Sequence, residues 1–362
     1  MREIFISPLY LIIALIMITP YLISNVPNVL RRNKKIKIFF ILTIIFSLIN
    51  IPVTGNGFGG TINFIVCFTM AIYLLENPHV AANFSFLYSI YIIGFLWQHM
   101  IVIGEDAHAL YEENLGLSRN FPGYLLVAST SLWCFTKKET MGWLPLSIPV
   151  LAIILTYLIN GRSSFAASIM LLLVCLAMRG NSRRTFFLFL GLTVALIIYY
   201  YNDIVDLYQL SRLSEEGSDN TARHKIWSAY FNNLDLVSLM FGLDTKMVPV
   251  IHSYADNPHN AFLNFHQRMG LFPTAYLLFF ICHAIKWFVH NKNIVYAMVL
   301  SIYIFRIFFD SCCNSTYDFI LYYMIFYPYM KEPGLASGTT PNTLSGKKGL
   351  LKRLLFCVKA IA

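Results

Sequence analysis

Apolar segments of roughly 15 to 20 residues recur along almost the whole chain, and short polar stretches between them carry most of the Lys and Arg. Each segment is about long enough to cross a bilayer core of roughly 30 Å as a helix, which satisfies its own backbone hydrogen bonds. Only 12% of residues are charged and 57% are hydrophobic, too little polar surface for a soluble domain of 362 residues. The sequence therefore predicts an all-α, polytopic transmembrane helical bundle.

The basic clusters between these segments predict how the bundle is oriented. The clusters at residues 31–37, 137–138 and 179–184 follow alternate segments, as the positive-inside rule requires of cytoplasmic loops. This spacing predicts about eleven spans, with the N-terminus outside and the C-terminus in the cytoplasm. Because orientation accounts for the formal charge of +9, no nucleic-acid partner is expected.

One long polar segment divides the chain. We predict N-terminal transmembrane helices over residues 1–201, a large outer loop over 202–271, C-terminal transmembrane helices over 272–330, and a basic cytoplasmic tail over 331–362. The tail has the pattern of a basic amphipathic helix on an anionic leaflet, which makes membrane lipids expected partners. A solvated positive tail explains that pattern equally well.

Arg162, within the sequence Gly161–Ser164, follows the sixth apolar segment on the predicted outer side. A guanidinium at this depth faces lipid phosphates with a rigid fork of hydrogen-bond donors, so Arg162 is a candidate for binding a phosphate. An arginine that only snorkels to the interface is the alternative.

A second candidate is a helix predicted over residues 221–234 of the outer loop. Its apolar side holds Ile226, Trp227, Tyr230 and Leu234, and we expect that side to lie on the membrane surface. Arg223 and His224 lie near its start, where the helix N-terminus also favours an anion. Trp227 is a candidate substrate contact on the same helix. A solvated amphipathic helix is the alternative.

The third candidate is the stretch NPHNAFLNFHQRMG, in which His259 and Asn260 are followed, after nine residues, by Gly270. Counted along a helix, His259 and His266 fall near one face. A neutral imidazole can take a proton from a sugar hydroxyl near pH 7, which makes His259 a candidate base. Asp256, His252 and His266 are weaker candidates, and a structural histidine is the alternative.

A fourth candidate is Arg306, four residues before Asp310 in the tenth apolar segment. Charged groups inside a bilayer are costly and commonly line a functional cavity, although mutual neutralisation explains the pair as well. No motif for zinc, nucleotide triphosphate or dinucleotide binding is present, so neither a metal nor a cofactor is expected.

These residues resemble the O-antigen polymerase and O-antigen ligase superfamily of bacterial envelopes. The resemblance lies in GRSSFAAS, TARHKIW and PHNAFLNFHQRMG, over roughly residues 161–280, and the matching positions are Arg162, Arg223, Trp227, His259 with Asn260, and Gly270. It implies a metal-independent, inverting glycosyltransferase of the inner membrane that acts on undecaprenyl-pyrophosphate-linked oligosaccharide at the periplasmic face. His259, Arg223 and Arg162 would be catalytic, and Asn260 and Trp227 would bind substrate. The residue patterns described above add His224, His266 and Arg306 as candidate substrate-binding residues.

Within this superfamily the sequence favours a polymerase over a ligase. Pro273 stands where ligases commonly have Gly, Thr or Tyr, three residues after Gly270. A polymerase is also expected to meet a chain-length regulator protein. A ligase that transfers glycan to lipid A core is the first alternative. A flippase of the lipid-linked sugar is the second, although the polar residues gather at one outer loop and not at a bilayer midplane.

Overall fold

The structure, a computed structural model, describes residues 8–54, 58–104, 120–141, 146–159, 161–179, 222–254, 256–308 and 318–331. Within these ranges every regular element is helical, which confirms the all-α class. The α-helices are α1 (Pro8–Ser24), α2 (Val26–Arg32), α3 (Lys34–Thr54), α4 (Gly59–Glu76), α5 (Pro78–Trp97), α6 (Asn120–Met141), α7 (Ser147–Leu158), α8 (Arg162–Arg179), α9 (Ala222–Asn232), α10 (Leu236–Phe241), α11 (Pro249–His252), α12 (Ala261–Met269), α13 (Leu271–His290), α14 (Ile294–Phe308) and α15 (Phe319–Lys331). A π-helical turn, Gln98–Val102, extends α5, and a 3₁₀ turn, Thr245–Met247, precedes α11.

Four of the described helices are long and apolar enough to cross a membrane: α3, α4, α5 with its π-helical extension, and α13. Helices α7, α8 and α14 contain shorter apolar stretches. A helix lies at each predicted apolar segment except the eighth, residues 185–201, which lies outside the described residues. Membrane-spanning helices are therefore supported, and the count of eleven stays a prediction.

Helix α15 lies at the centre of the bundle. Its residues 319–329 are all buried, and it packs against α4, α6, α13 and α14. Aromatic rings surround it: Phe39 of α3 lies 5.9 Å from Phe326, and Phe280 of α13 lies 5.1 Å from the same ring. A helix that is apolar on every side is stable where neighbours cover it all round, which explains this central position.

Residues 222–271 contribute a small second core beside the bundle. Ile226 and Tyr230 of α9 are fully buried against Leu243, Val248 and Ile251. The helix predicted over residues 221–234 is confirmed as α9. Its apolar side, however, packs on this segment and not on a membrane surface, because the chain folds back and covers it with Leu243, Val248 and, from α11, Ile251.

Asn50 joins this second core to a membrane-spanning helix. Its side-chain amide, buried on α3, donates hydrogen bonds to the carbonyl oxygens of Gln267, at 3.0 Å, and Phe241. Gly242 makes the approach possible, because a Cβ there would lie 2.3 Å from the carbonyl oxygen of Gln267. Residues 222–271 are thus docked on α3.

Candidate functional site

Arg306 and the Gly161–Ser164 segment, which are far apart in the sequence, meet in the structure. The Arg306 side chain is 1% exposed, and its Nε donates a hydrogen bond to Ser164 Oγ at 2.7 Å. Its guanidinium carbon lies 5.8 Å from the centre of the Tyr124 ring, where a cation is attracted by the aromatic face. Asp310 lies outside the described residues, so the predicted Arg306–Asp310 pair stays a prediction.

Helix α6 also approaches Arg306 and Ser164 closely. We call the resulting group the arginine junction, and it consists of Gly123, Tyr124, Ser164, Tyr303 and Arg306. A Cβ at Gly123 would lie 2.6 Å from Ser164 Oγ, so glycine is what lets α6 reach α8 here. The hydroxyls of Tyr124 and Tyr303 lie 3.0 Å apart and share a hydrogen bond. Three helices are therefore joined through polar groups, and not only through apolar packing.

Arg162 is the first residue of α8. Ser164 lies in the first turn of the same helix, and its hydroxyl accepts the bond from Arg306. The first-turn N–H groups of a helix carry a partial positive charge, so the backbone at Arg162 adds to the attraction of an anion. The side chain of Arg162 lies outside what the structure describes.

Trp227 of α9 connects the arginine junction to the loop of residues 256–260, which we call the His259 loop. Its indole Nε1 donates a hydrogen bond to the carbonyl oxygen of Pro258 at 3.0 Å. Its ring packs edge-on against Phe308, two residues after Arg306, with the centroids 5.4 Å apart. Arg223, one turn before Trp227 on α9, is half-buried, and the neighbouring His224 is exposed. The predicted segments at 223–227, 258–260 and 306–308 thus lie in contact.

His259 precedes α12 and is not part of it. Its φ angle is +48°, in the left-handed region that few residues other than glycine adopt, and its N–H donates to Asn257 Oδ1 at 2.8 Å. Its ring lies edge-on to Tyr254, with the centroids 6.1 Å apart. The helical count that placed His259 and His266 on one face is therefore wrong, because the left-handed turn redirects the chain at His259. Such backbone outliers concentrate at functional sites.

Asn260 and Gly270 mark the two ends of α12. Asn260 Oδ1 accepts hydrogen bonds from the backbone N–H groups of Phe262, at 2.9 Å, and Leu263, at 3.2 Å, as an N-cap does. Gly270 follows the last helical residue with φ +78°, and a Cβ there would lie 2.4 Å from the Met240 carbonyl oxygen. The nine residues between them are the nine residues of α12.

His266 lies inside the protein, away from the His259 loop. Its Nδ1 is 2.7 Å from the Tyr230 hydroxyl, and its Nε2 is 2.8 Å from the Leu239 carbonyl oxygen. Since a carbonyl only accepts, Nε2 carries the proton and Nδ1 accepts from Tyr230. Burial lowers the pKa of His266 and raises the pKa of Tyr230, so both groups stay neutral in this pair. The contacts of His266 join α9, α10 and α12.

The weaker candidates His252 and Asp256 form a contact of their own. His252 Nδ1 lies 2.9 Å from Asp256 Oδ1, and the exposed imidazole leaves this pair open to solvent. Asp256 also has a left-handed φ, +60°. The pair links the last residue of α11 to the residue three positions before His259.

Sequence reasoning missed Asn50 and Arg268. Asn50 lies within an apolar run, where an amide must find a protein partner, and that cost was the signal for its docking role. Arg268 lies in α12, between Asn260 and Gly270, and lines a cavity of about 270 Å³ next to α3 and α4. A charged residue within the predicted catalytic stretch was the sequence signal that could have identified Arg268.

Comparison with known proteins finds no protein or family similar to this chain. No family model, no curated protein and no solved structure matches the chain. Among the described residues, no group of three or more His, Cys, Asp or Glu side chains is arranged to hold a metal ion. The residues and their contacts therefore carry the functional argument.

Proposed function

We propose that this protein is a polymerase of O-antigen or a related surface polysaccharide. It transfers an undecaprenyl-pyrophosphate-linked glycan to the next lipid-linked repeat unit at the periplasmic face of the inner membrane. The observation that supports it best is the contact between Trp227, Pro258 and Phe308. This contact joins the segments that carry Arg223, His259 and Arg306, and the bond from Arg306 to Ser164 adds the segment that begins at Arg162.

The reaction that fits these groups is a displacement at the anomeric carbon. The acceptor hydroxyl oxygen forms the new bond to that carbon while the bond to the pyrophosphate oxygen breaks, which inverts the configuration. The proton of the hydroxyl passes to the imidazole of His259, which later returns it to solvent. The leaving group is undecaprenyl pyrophosphate. No resident metal or cofactor has a role in this scheme.

The arginines act on the charge that develops on the leaving pyrophosphate. Arg223 lies at the start of α9 and Arg162 at the start of α8, and a helix N-terminus adds its own attraction for an anion at each position. Loss of one such donor to a developing oxyanion typically reduces the rate about 10²–10³-fold. Arg306 acts through Ser164 and positions the start of α8.

The test is the lipopolysaccharide gel profile of a strain that lacks this protein. We expect the ladder to collapse to core plus one repeat, the wild-type gene to restore it, and His259→Ala to leave it collapsed. His290→Ala changes an exposed histidine at the end of α13 and is the matched control that restores the ladder. Arg223→Ala is expected to shorten or abolish the ladder at unchanged protein level.

Other profiles identify other functions. If the core loses all O-antigen while long glycan accumulates on the carrier lipid, the protein is the ligase that attaches glycan to lipid A core. A core without O-antigen and without long glycan on the carrier lipid favours a flippase of lipid-linked sugar, and an unchanged ladder contradicts all three functions. A ladder fully restored by His259→Ala removes His259 from the chemistry.

A further inference from the structure

Arg268 lines a cavity between α3, α4 and α12. None of the arginine junction residues lines this cavity. The cavity has a volume of about 270 Å³, and its polar lining consists of Ser47, Asn50, Thr61, Asn63 and Arg268, with Gly59 and Gly60 at the start of α4. Arg268 is the one charged side chain among these lining residues. A mostly buried guanidinium that faces a polar cavity is suited to an anionic ligand.

The two terminal amino groups of the Arg268 guanidinium are available to a ligand. Nε donates to Asn264 Oδ1 at 3.0 Å, and within the described part of the chain this is the one hydrogen bond of the guanidinium. Burial lowers the pKa of Arg268, and the charge of the Asp318 carboxylate, buried near it, opposes that change. The two terminal amino groups can therefore bind two oxygens of one phosphate, as guanidinium groups often do.

The cavity lies near the ends of two membrane-spanning helices, and this position indicates the source of such a phosphate. Helix α3 ends at Thr54 and α4 begins at Gly59, and both are long and apolar enough to cross a membrane. The connection between two consecutive spans lies at a membrane surface, in the layer that holds lipid phosphates. The first N–H groups of α4, at Gly59 and Gly60, also lack partners within their own helix.

We propose that this cavity binds the phosphate or pyrophosphate group of a membrane lipid, and that in the polymerase it holds the pyrophosphate of the acceptor substrate. The lipid's identity rests on the proposed function, whereas the anion site rests on the cavity and Arg268. Helix α12, with nine residues, is about 13 Å long, and it separates Arg268 near its end from His259 before its start. A short acceptor oligosaccharide that extends along α12 would bring its hydroxyl to His259.

The test measures binding of undecaprenyl pyrophosphate to the full chain in phosphatidylcholine nanodiscs by native mass spectrometry, with phosphatidylglycerol as competitor. Because Arg162 and Arg223 are proposed to bind a second pyrophosphate, the measurement counts the lipids bound per chain. Arg268→Gln is expected to weaken binding of one of these lipids about tenfold or more, and Arg268→Lys, which keeps the charge, to weaken it less. Lys246→Gln removes an exposed positive charge from the same segment and is the control that binds like wild type. Gly59→Leu adds a side chain to a lining residue of the cavity and leaves Arg268 in place, and a Cβ at Gly59 would meet nothing within 4 Å.

The outcomes separate the site from its assigned substrate. Preference for undecaprenyl pyrophosphate over phosphatidylglycerol, lost in Arg268→Gln and Gly59→Leu, supports the acceptor site. Equal displacement by phosphatidylglycerol supports the phosphate site and overturns the acceptor role. Wild-type binding in both Arg268→Gln and Gly59→Leu overturns the proposal, and if Arg268→Gln does not fold, Gly59→Leu and Arg268→Lys decide it. Binding that depends on Arg268, in a protein whose deletion leaves the ladder unchanged, keeps the site and removes the polymerase.

Discussion

Asn260 has a structural role that its place beside His259 does not reveal. Its side chain caps α12, and Gly270 ends that helix, so the spacing between them equals the length of one helix. The same cap holds the backbone that follows the left-handed turn at His259. Asn260 therefore positions His259 whether or not its amide touches substrate.

Substitution of Asn260 separates these two roles. Asn260→Ala removes the cap and is expected to destabilise the protein by about 1 kcal/mol, while Asn260→Asp keeps an oxygen acceptor and adds a favourable charge at the helix N-terminus. The measurements are thermal unfolding and the lipopolysaccharide ladder for both variants. A normal ladder with Asn260→Asp assigns the residue to capping, whereas a normal fold with a collapsed ladder assigns the amide to the substrate.

His266 predicts how stability depends on pH. Burial lowers its pKa in the folded protein below the unfolded value of 6.5, so the unfolded chain binds a proton more readily. The contribution of His266 is therefore fully present above about pH 6.5 and is lost as the pH falls through its folded pKa. We expect the unfolding midpoint to fall in this acid range more steeply for wild type than for His266→Phe.

The His266→Phe variant is also expected to be less stable than wild type at neutral pH. His266→Phe leaves the Tyr230 hydroxyl and the Leu239 carbonyl without their partner, which costs roughly 1–3 kcal/mol for a buried polar group. Unfolding midpoints at pH 5 and pH 8, for wild type and His266→Phe, measure both effects. Parallel pH profiles for the two proteins would contradict the buried neutral histidine.

At the element scale, the arginine junction determines how α6, α8 and α14 meet. Ser164 is its centre, since it accepts from Arg306 and lies against the backbone of Gly123. The helices approach closely there because Gly123 has no side chain. Small residues and interhelical hydrogen bonds are the common means by which helices associate in a membrane.

Gly123→Ala tests this packing. The new Cβ would lie 2.6 Å from Ser164 Oγ, and overpacking of this kind costs roughly 1–3 kcal/mol. With Ser164→Gly in the same chain the clash is removed, so the double variant should lose less stability than the sum of the single variants. Thermal unfolding of the four proteins completes the cycle. Gly94→Ala, where a Cβ meets nothing within 4 Å, is the control that should not destabilise.

At the scale of the whole molecule, the predicted orientation places the His259 loop outside the cytoplasm. Ser253 is exposed next to this loop, and His290 is exposed at the other end of α13. In a variant whose native cysteines are replaced by alanine, a membrane-impermeant thiol reagent should label Ser253→Cys in intact spheroplasts and should label His290→Cys only after lysis. The reverse pattern inverts the topology and rules out periplasmic chemistry at His259.

Local patterns are sufficient to predict the long apolar helices and α9. Hydrophobic runs place a helix at each predicted segment that the structure describes, and the apolar spacing of residues 221–234 predicts α9, because backbone hydrogen bonds and side-chain periodicity depend on near neighbours. Arg162 and Arg223 were also predicted as candidates from local patterns, and the structure places both at helix starts. Whether they bind pyrophosphate stays a prediction.

Contacts between distant residues depend on the tertiary structure. The bond from Arg306 to Ser164 spans 142 positions, and the pair of Tyr230 with His266 spans 36. Arg268 acquires its cavity only where α3 and α4 end beside α12. Apolar runs and helical periodicity determined from the sequence alone which of the predicted segments are helices. The packing of those helices decided which residues meet, since burial and hydrogen bonding depend on neighbours that the local sequence does not contain.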